Sequence, residues 1–131
     1  MSTVFVDTIK NQTGTTSLAA NKLPDMLSGS SKCWSNIDGT GTVNLRDSFN
    51  VSTLTDSGTG HYTLSFSSSM SSSNYSPVVS GNIAIGNSGR DVSCPATTNS
   101  SSQVGMKCFR SDNLTAEDFD FVMAQIDGNL A

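Results

Sequence analysis

Histidine occurs once in this chain, at position 61, so any Ser-His-Asp or Cys-His machinery would have to use it. It precedes Tyr62 in a run that alternates polar and apolar residues, which places it on the solvated side of a strand, and the expectation is an exposed surface histidine rather than a catalytic base. Cys33, Cys94 and Cys108 are odd in number and lack metal-ligand spacing, so they read as buried reduced thiols. Asp118, Asp120 and Asp127 have the charge for calcium, but no ligand loop with its glycine accompanies them, and they read as a solvated acidic edge. Gly39-Thr40-Gly41 and Gly58-Thr59-Gly60 lack the lysine and following helix of a phosphate loop; with Asp38 and Asp56 they are turn chemistry. The expectation is a protein without catalysis, cofactor or metal.

Polar groups in loops are the remaining chemistry. Asn74, Asn87, Arg90 and Asn99 suit hydrogen bonding to carbohydrate, and Arg90 suits an acidic sugar or phosphate. Trp34 and Tyr75 have rings that could stack on sugars, although a lone tryptophan near a strand start is more often core. Asn74, Tyr75, Asn87, Arg90 and Asn99 are therefore the candidate glycan and host-contact residues. Asn-x-Ser/Thr triplets start at Asn11, Asn50, Asn74, Asn99 and Asn113, but 38 Ser and Thr among 131 residues produce most of these by chance.

Composition sets the kind of scaffold that must hold these residues. Ser, Thr, Asn and Gly make up 60 of 131 residues, and 35% of the chain is hydrophobic. Ser and Asn side chains compete for the backbone and glycine costs entropy in a helix, so a helical bundle is disfavoured and short strands with polar turns are expected. A net charge of −4 with scattered cations gives no electrostatic footprint for nucleic acid. No apolar run approaches the ~20 residues of a membrane span, so no membrane insertion is expected. Met1-Ser2-Thr3-Val4-Phe5-Val6-Asp7 lacks the basic and apolar regions of a signal peptide, which implies synthesis in a cytoplasm.

The chain divides into an arm, residues 1–31, and a strand series from residue 32 onward. The arm carries Val4, Phe5, Val6, Ile9, Leu18 and Leu23 between polar turns, too little to bury a core of its own. Those six residues are the candidates for attachment and oligomerisation. Beyond the arm, strands are expected at 32–37, at 43–51 as one continuous strand, at 61–66, at 78–85 with a bulge at Gly81, and at 103–110. In the third of these, Tyr62, Leu64 and Phe66 take one face and His61, Thr63 and Ser65 the other. Ser67 to Asn74 is a surface loop with Met70 tucked inward, and 86–102 a long polar loop. From Thr115 onward, Phe119, Val122, Met123 and Ile126 fit helical spacing, while Phe119, Phe121 and Met123 fit alternation.

Three runs are distinctive: Cys33-Trp34-Ser35-Asn36-Ile37-Asp38-Gly39, Arg46-Asp47-Ser48-Phe49-Asn50-Val51, and Gly58-Thr59-Gly60-His61-Tyr62, followed by Asn74-Tyr75. Together they resemble a C-terminal domain common in tail fibres and virion appendages of marine tailed phages, notably those of cyanobacteria. The resemblance covers roughly residues 32–128 and is strongest over 33–75. It implies an antiparallel β-sandwich, jelly-roll-like, over residues 32–131, assembled as a homotrimer, with no cofactor. It also selects a strand over a helix near the end, through Asp118-Phe119-Asp120-Phe121-Val122 and Gly128. Phe5, Trp34 and this closing strand are candidates for the face that a trimer hides. The expected function is that of a phage virion protein, a tail appendage or short tail fibre held by other tail or head structural proteins and contacting host lipopolysaccharide. A capsid decoration protein is the alternative.

Overall fold

A computed structural model describes residues 8–10, 17–19, 30–82, 92–93, 95–110 and 113–131. The chain divides into two compact units, Met1–Ser30 and Ser31–Ala131. In the first, β1 (Thr8–Lys10) pairs antiparallel with β2 (Ser17–Ala19), which sets Ile9 opposite Leu18.

The described residues of the second unit are all β, without a helix. One sheet, sheet I, has the order β4-β3-β12-β7, from β3 (Cys33–Asp38), β4 (Asn44–Phe49), β7 (Ser76–Asn82) and β12 (Phe121–Asp127). The other, sheet II, has the order β5-β6-β10-β9, from β5 (Val51–Asp56), β6 (His61–Phe66), β9 (Ala96–Ser100) and β10 (Gln103–Lys107). β8 (Val92–Ser93) and β11 (Phe109–Arg110) form a small ribbon. All pairings are antiparallel. Inward residues of both sheets meet in one core, with Cys33, Ile37, Leu64, Val104, Val122 and Ile126 fully buried, an arrangement consistent with a β-sandwich. Three chain-adjacent pairs, β3–β4, β5–β6 and β9–β10, lie side by side within a sheet. That is hairpin connectivity, in place of the jelly-roll wrap in which successive strands alternate between sheets.

β6 follows its sequence pattern: Tyr62, Leu64 and Phe66 are buried and His61, Thr63 and Ser65 half-exposed. The expected single strand over 43–51 is instead two strands in different sheets. The chain turns between them at Asn50, whose φ of 58° ends the extended run. The Asn50 side chain donates to the Lys32 and Ser68 carbonyls and accepts from the Ser68 N–H, which clips the corner to both neighbouring segments. Alternation fails within β4 as well. Asn36 pairs with Asp47 but Ile37 pairs with Leu45, so Arg46 is an extra residue. A bulge of this kind reverses the facing of every later side chain, and Phe49, expected inside with Val43 and Leu45, is 52% exposed. Similar irregularities leave Ser52 extra on β5 and Thr97 extra on β9. All three lie on edge strands, where bulges discourage pairing with other chains. β7, the remaining edge, pairs with β12 in unbroken register over seven residues, so Gly81 is an ordinary ladder position opposite Val122.

Between 86 and 102, expected to be loop, β9 and β8 provide strand. Thr97 and Thr98 suit a pleated surface, and pairing with β10 overrides the polar composition. The closing element is the strand β12, and residues 115–120 ahead of it are irregular. Met70 is buried, as expected, and it bridges to Leu130.

Candidate functional site

Asp118, ahead of β12, is occupied with structure. Asp118 Oδ1 accepts from the Tyr62 hydroxyl at 2.9 Å and from the Gly60 N–H at 2.7 Å. Burial first, then the hydrogen bond and the charge of Asp118, push the Tyr62 hydroxyl well above its ordinary pKa. Gly60 has φ 68°, and a Cβ there would lie 2.4 Å from the Cys108 carbonyl, so only glycine fits. Asp38 caps its own turn by accepting from the Thr40 N–H and hydroxyl, and it pairs with Arg46 at 2.7 Å. The Thr40 hydrogen bonds, with Arg46 beside them, hold its carboxyl below the usual range. His61 Nδ1 lies 2.9 Å from the Thr59 carbonyl, a contact that requires the proton on that nitrogen. Cys33 and Cys108 are buried thiols, and burial pushes Cys33 up to about 11; Cys94 lies outside the described residues. Among the described residues no three His, Cys, Asp or Glu gather as metal ligands, and no helix is long and apolar enough to cross a membrane.

The expected contact residues are placed unevenly. Asn74 and Asn99 are exposed, Asn99 on β9. Tyr75 is 8% exposed, packs edge-on against Phe66 and donates its hydroxyl to the Gln103 carbonyl, so its ring belongs to the core and not to a sugar platform. Asn87 and Arg90 lie outside the described residues, as do Val4, Phe5, Val6 and Leu23 of the arm; Ile9 and Leu18 are the cross-strand pair of β1 and β2.

The feature that stands out is the outer face of sheet I. Seven large hydrophobic side chains are exposed among the described residues, and five of them, Trp34, Phe49, Val78, Phe121 and Met123, lie on this face. Registers set them in rows. Phe49, Trp34, Gln125 and Val78 stand side by side across the four strands, and Asp47, Asn36, Met123 and Ser80 form the next row. Arg46 lies over the Phe121 ring, 4.3 Å from its centroid, while its guanidinium donates to the Ile37 and Asp120 carbonyls and to Asp38. A groove of about 410 Å³ runs between Trp34, Val78, Ser80, Met123 and Gln125. The lone tryptophan is thus 37% exposed rather than core, and it joins the closing strand on one face.

Phe49, Val78 and Gln125 were not recognisable as part of this face from sequence. One signal was present: Phe121 and Met123 interleave with Val122, Ala124 and Ile126, so β12 is apolar on both sides. Such a run is the pattern of strands buried on both faces, whereas here Phe121 and Met123 are exposed. In comparison with known proteins, no family model, curated protein or solved structure matches this chain.

Proposed function

We propose that this chain is a structural protein of a tailed-phage virion, a non-enzymatic homotrimeric tail appendage or short tail fibre. Residues 1–31 mount it on other tail or head proteins, and it touches the host surface, with lipopolysaccharide as the ligand class. The reading draws its biology from the resemblance over residues 32–128. Its physical support is the finish of the exterior: one sheet turns a broad apolar face outward and the other a hydroxyl-covered one. Surfaces of this kind serve contact, and large exposed apolar patches mark interaction sites. Weak contacts with a glycan would be multiplied by three chains and by several copies on one particle.

Immunogold labelling of particles tests the location. Label over the tail supports the proposal, and label over the head reassigns the protein to capsid decoration. Purified protein should also bind host lipopolysaccharide in a pull-down. No retention beside a positive control removes the host-contact role and leaves a structural one.

A further inference from the structure

We infer that the outer face of sheet I is the surface through which copies of this chain join. The inference rests on the homotrimer proposed above and names where its subunits meet. Trp34, Phe49, Val78, Phe121 and Met123 are exposed over 37%, 52%, 61%, 37% and 40% of their surfaces. At roughly 150–250 Å² for a large side chain, they leave about 450 Å² of apolar surface open on a face four strands wide. That is in the range of the patches that proteins use for contact.

Three observations favour a second copy as the occupant. The face carries both a knob and a hole: Phe49 projects at one edge, and the groove between Trp34, Val78 and Met123 lies alongside. A surface with both can fill itself when it meets another copy. Its charges are mixed, with Arg46 next to Asp47 on β4, so it selects neither a basic nor an acidic partner. Lastly, β4, β5 and β9 are edge strands carrying bulges, whereas β7 is an edge strand in regular register, with Pro77 near its start, and it presents Val78. The edge left suited to a neighbour borders the face that needs one.

The test uses the full chain in size-exclusion chromatography with light scattering. Wild type should have three times the 13.7 kDa chain mass. Val78→Lys and Met123→Lys should each fall to the mass of one chain with an unchanged circular-dichroism spectrum. Thr63→Lys, on the outer face of sheet II, should stay assembled. Trp34 is the only tryptophan, so acrylamide quenching reads the face directly, and no variant is needed. In assembled wild type the quenching constant should be at least about twofold below that of a dissociated chain. If the lysine variants remain trimeric, or if Trp34 in the trimer is quenched as an open indole, the face is wrong while the trimer stands. If wild type has the mass of one chain at micromolar concentration, the trimer reading fails and this inference with it.

Discussion

The outer faces of the two sheets are built on one plan and finished in opposite ways. Each spans four antiparallel strands over the same core. On sheet II, Thr55, Thr63, Gly105 and Thr98 form one row across the strands, and Thr53, Ser65, Gln103 and Ser100 form the next. No large hydrophobic side chain is exposed there among the described residues. On sheet I the corresponding rows hold Phe49, Trp34, Val78 and Met123. Sheet II shows how this chain finishes a face for water, with β-branched hydroxyl residues that keep strand geometry and remain hydrated. Sheet I departs from that finish at Phe49, Trp34, Val78 and Met123, four of the eight positions in its two rows, and the fold alone does not account for them. A partner does.

The comparison holds only if the two faces can be altered without altering the sandwich beneath them. The largest expected effect is therefore one that strikes both. Asp118→Ala should leave the Gly60 N–H without its acceptor and the Tyr62 hydroxyl with only the Gly39 carbonyl at 3.3 Å, and lower the stability of the domain by about 1–3 kcal/mol, read as a shift in denaturation midpoint. Tyr62→Phe at the other end of the same hydrogen bond should cost less, about 1 kcal/mol, because it removes a donor and strands none. A loss as large for Tyr62→Phe as for Asp118→Ala would mean that the Tyr62 hydroxyl bond carries the whole effect and the Gly60 N–H contact adds nothing.

Exchanging the finishes sharpens the contrast. Met123→Thr gives sheet I a piece of sheet II, and Thr63→Met does the reverse. Each should change monomer stability by less than about 1 kcal/mol, since both side chains stand on outer faces. Their effects on association should have opposite signs, with Met123→Thr weakening it about tenfold or more and Thr63→Met promoting contact through sheet II. Light scattering across a dilution series reads both. Equal behaviour of the two variants would erase the distinction between the faces.

How much of this was legible in sequence depended on whether local pattern and tertiary position agreed. β6 was readable because it lies inside sheet II, with a core on one side and water on the other, and its alternation is uninterrupted. β4 and β5 read as one strand because the signals that divide them are backbone events. The extra residue at Arg46 and the left-handed turn at Asn50 leave polarity looking regular while the facing changes. β9 was lost among serines and asparagines because its strand character comes from pairing with β10. β12 was ambiguous for a different reason. With Phe121 and Met123 outward and Val122, Ala124 and Ile126 inward, an apolar strand finished on both sides also satisfies helical spacing. Its double-sided character was the one sequence trace of the candidate face, whose remaining members come from three distant segments joined only by register. Of the loop residues expected to bind glycan, Tyr75 went to the core because a ring next to Phe66 gains more from burial than from water.

Acid should separate the faces by a smaller amount. Asp38 belongs to the rim of sheet I, where Thr40 and Arg46 hold its carboxyl below the usual range. A depressed carboxyl pKa stabilises the fold at all pH above the ordinary value near 4 and loses that contribution as pH falls through the lower folded-state value. The acid limb of the stability curve should therefore be shallower in Asp38→Asn than in wild type below about pH 4. Protonation would also free Arg46 from its partner beside Phe121, so the association read by Trp34 quenching should begin to weaken in the same interval. A limb of equal slope in the two proteins would show that the Thr40 and Arg46 contacts of Asp38 do not persist in solution.

The smallest effect lies directly beneath the apolar face. Ser35 alternates with Trp34 and Asn36 on β3 and points inward; it is 3% exposed, and its Oγ has no hydrogen-bond partner. An unpartnered buried hydroxyl opposes folding, so Ser35→Ala should raise the denaturation midpoint slightly, by the equivalent of about 0.5–1 kcal/mol. The inner side of sheet I is then improved while its outer side is untouched, and association per folded chain should be unchanged. If Ser35→Ala alters association instead, the two sides of β3 are coupled through the strand. The apolar exterior would then be adjusted from within the core, and the contrast between the faces would no longer be a matter of surface residues alone.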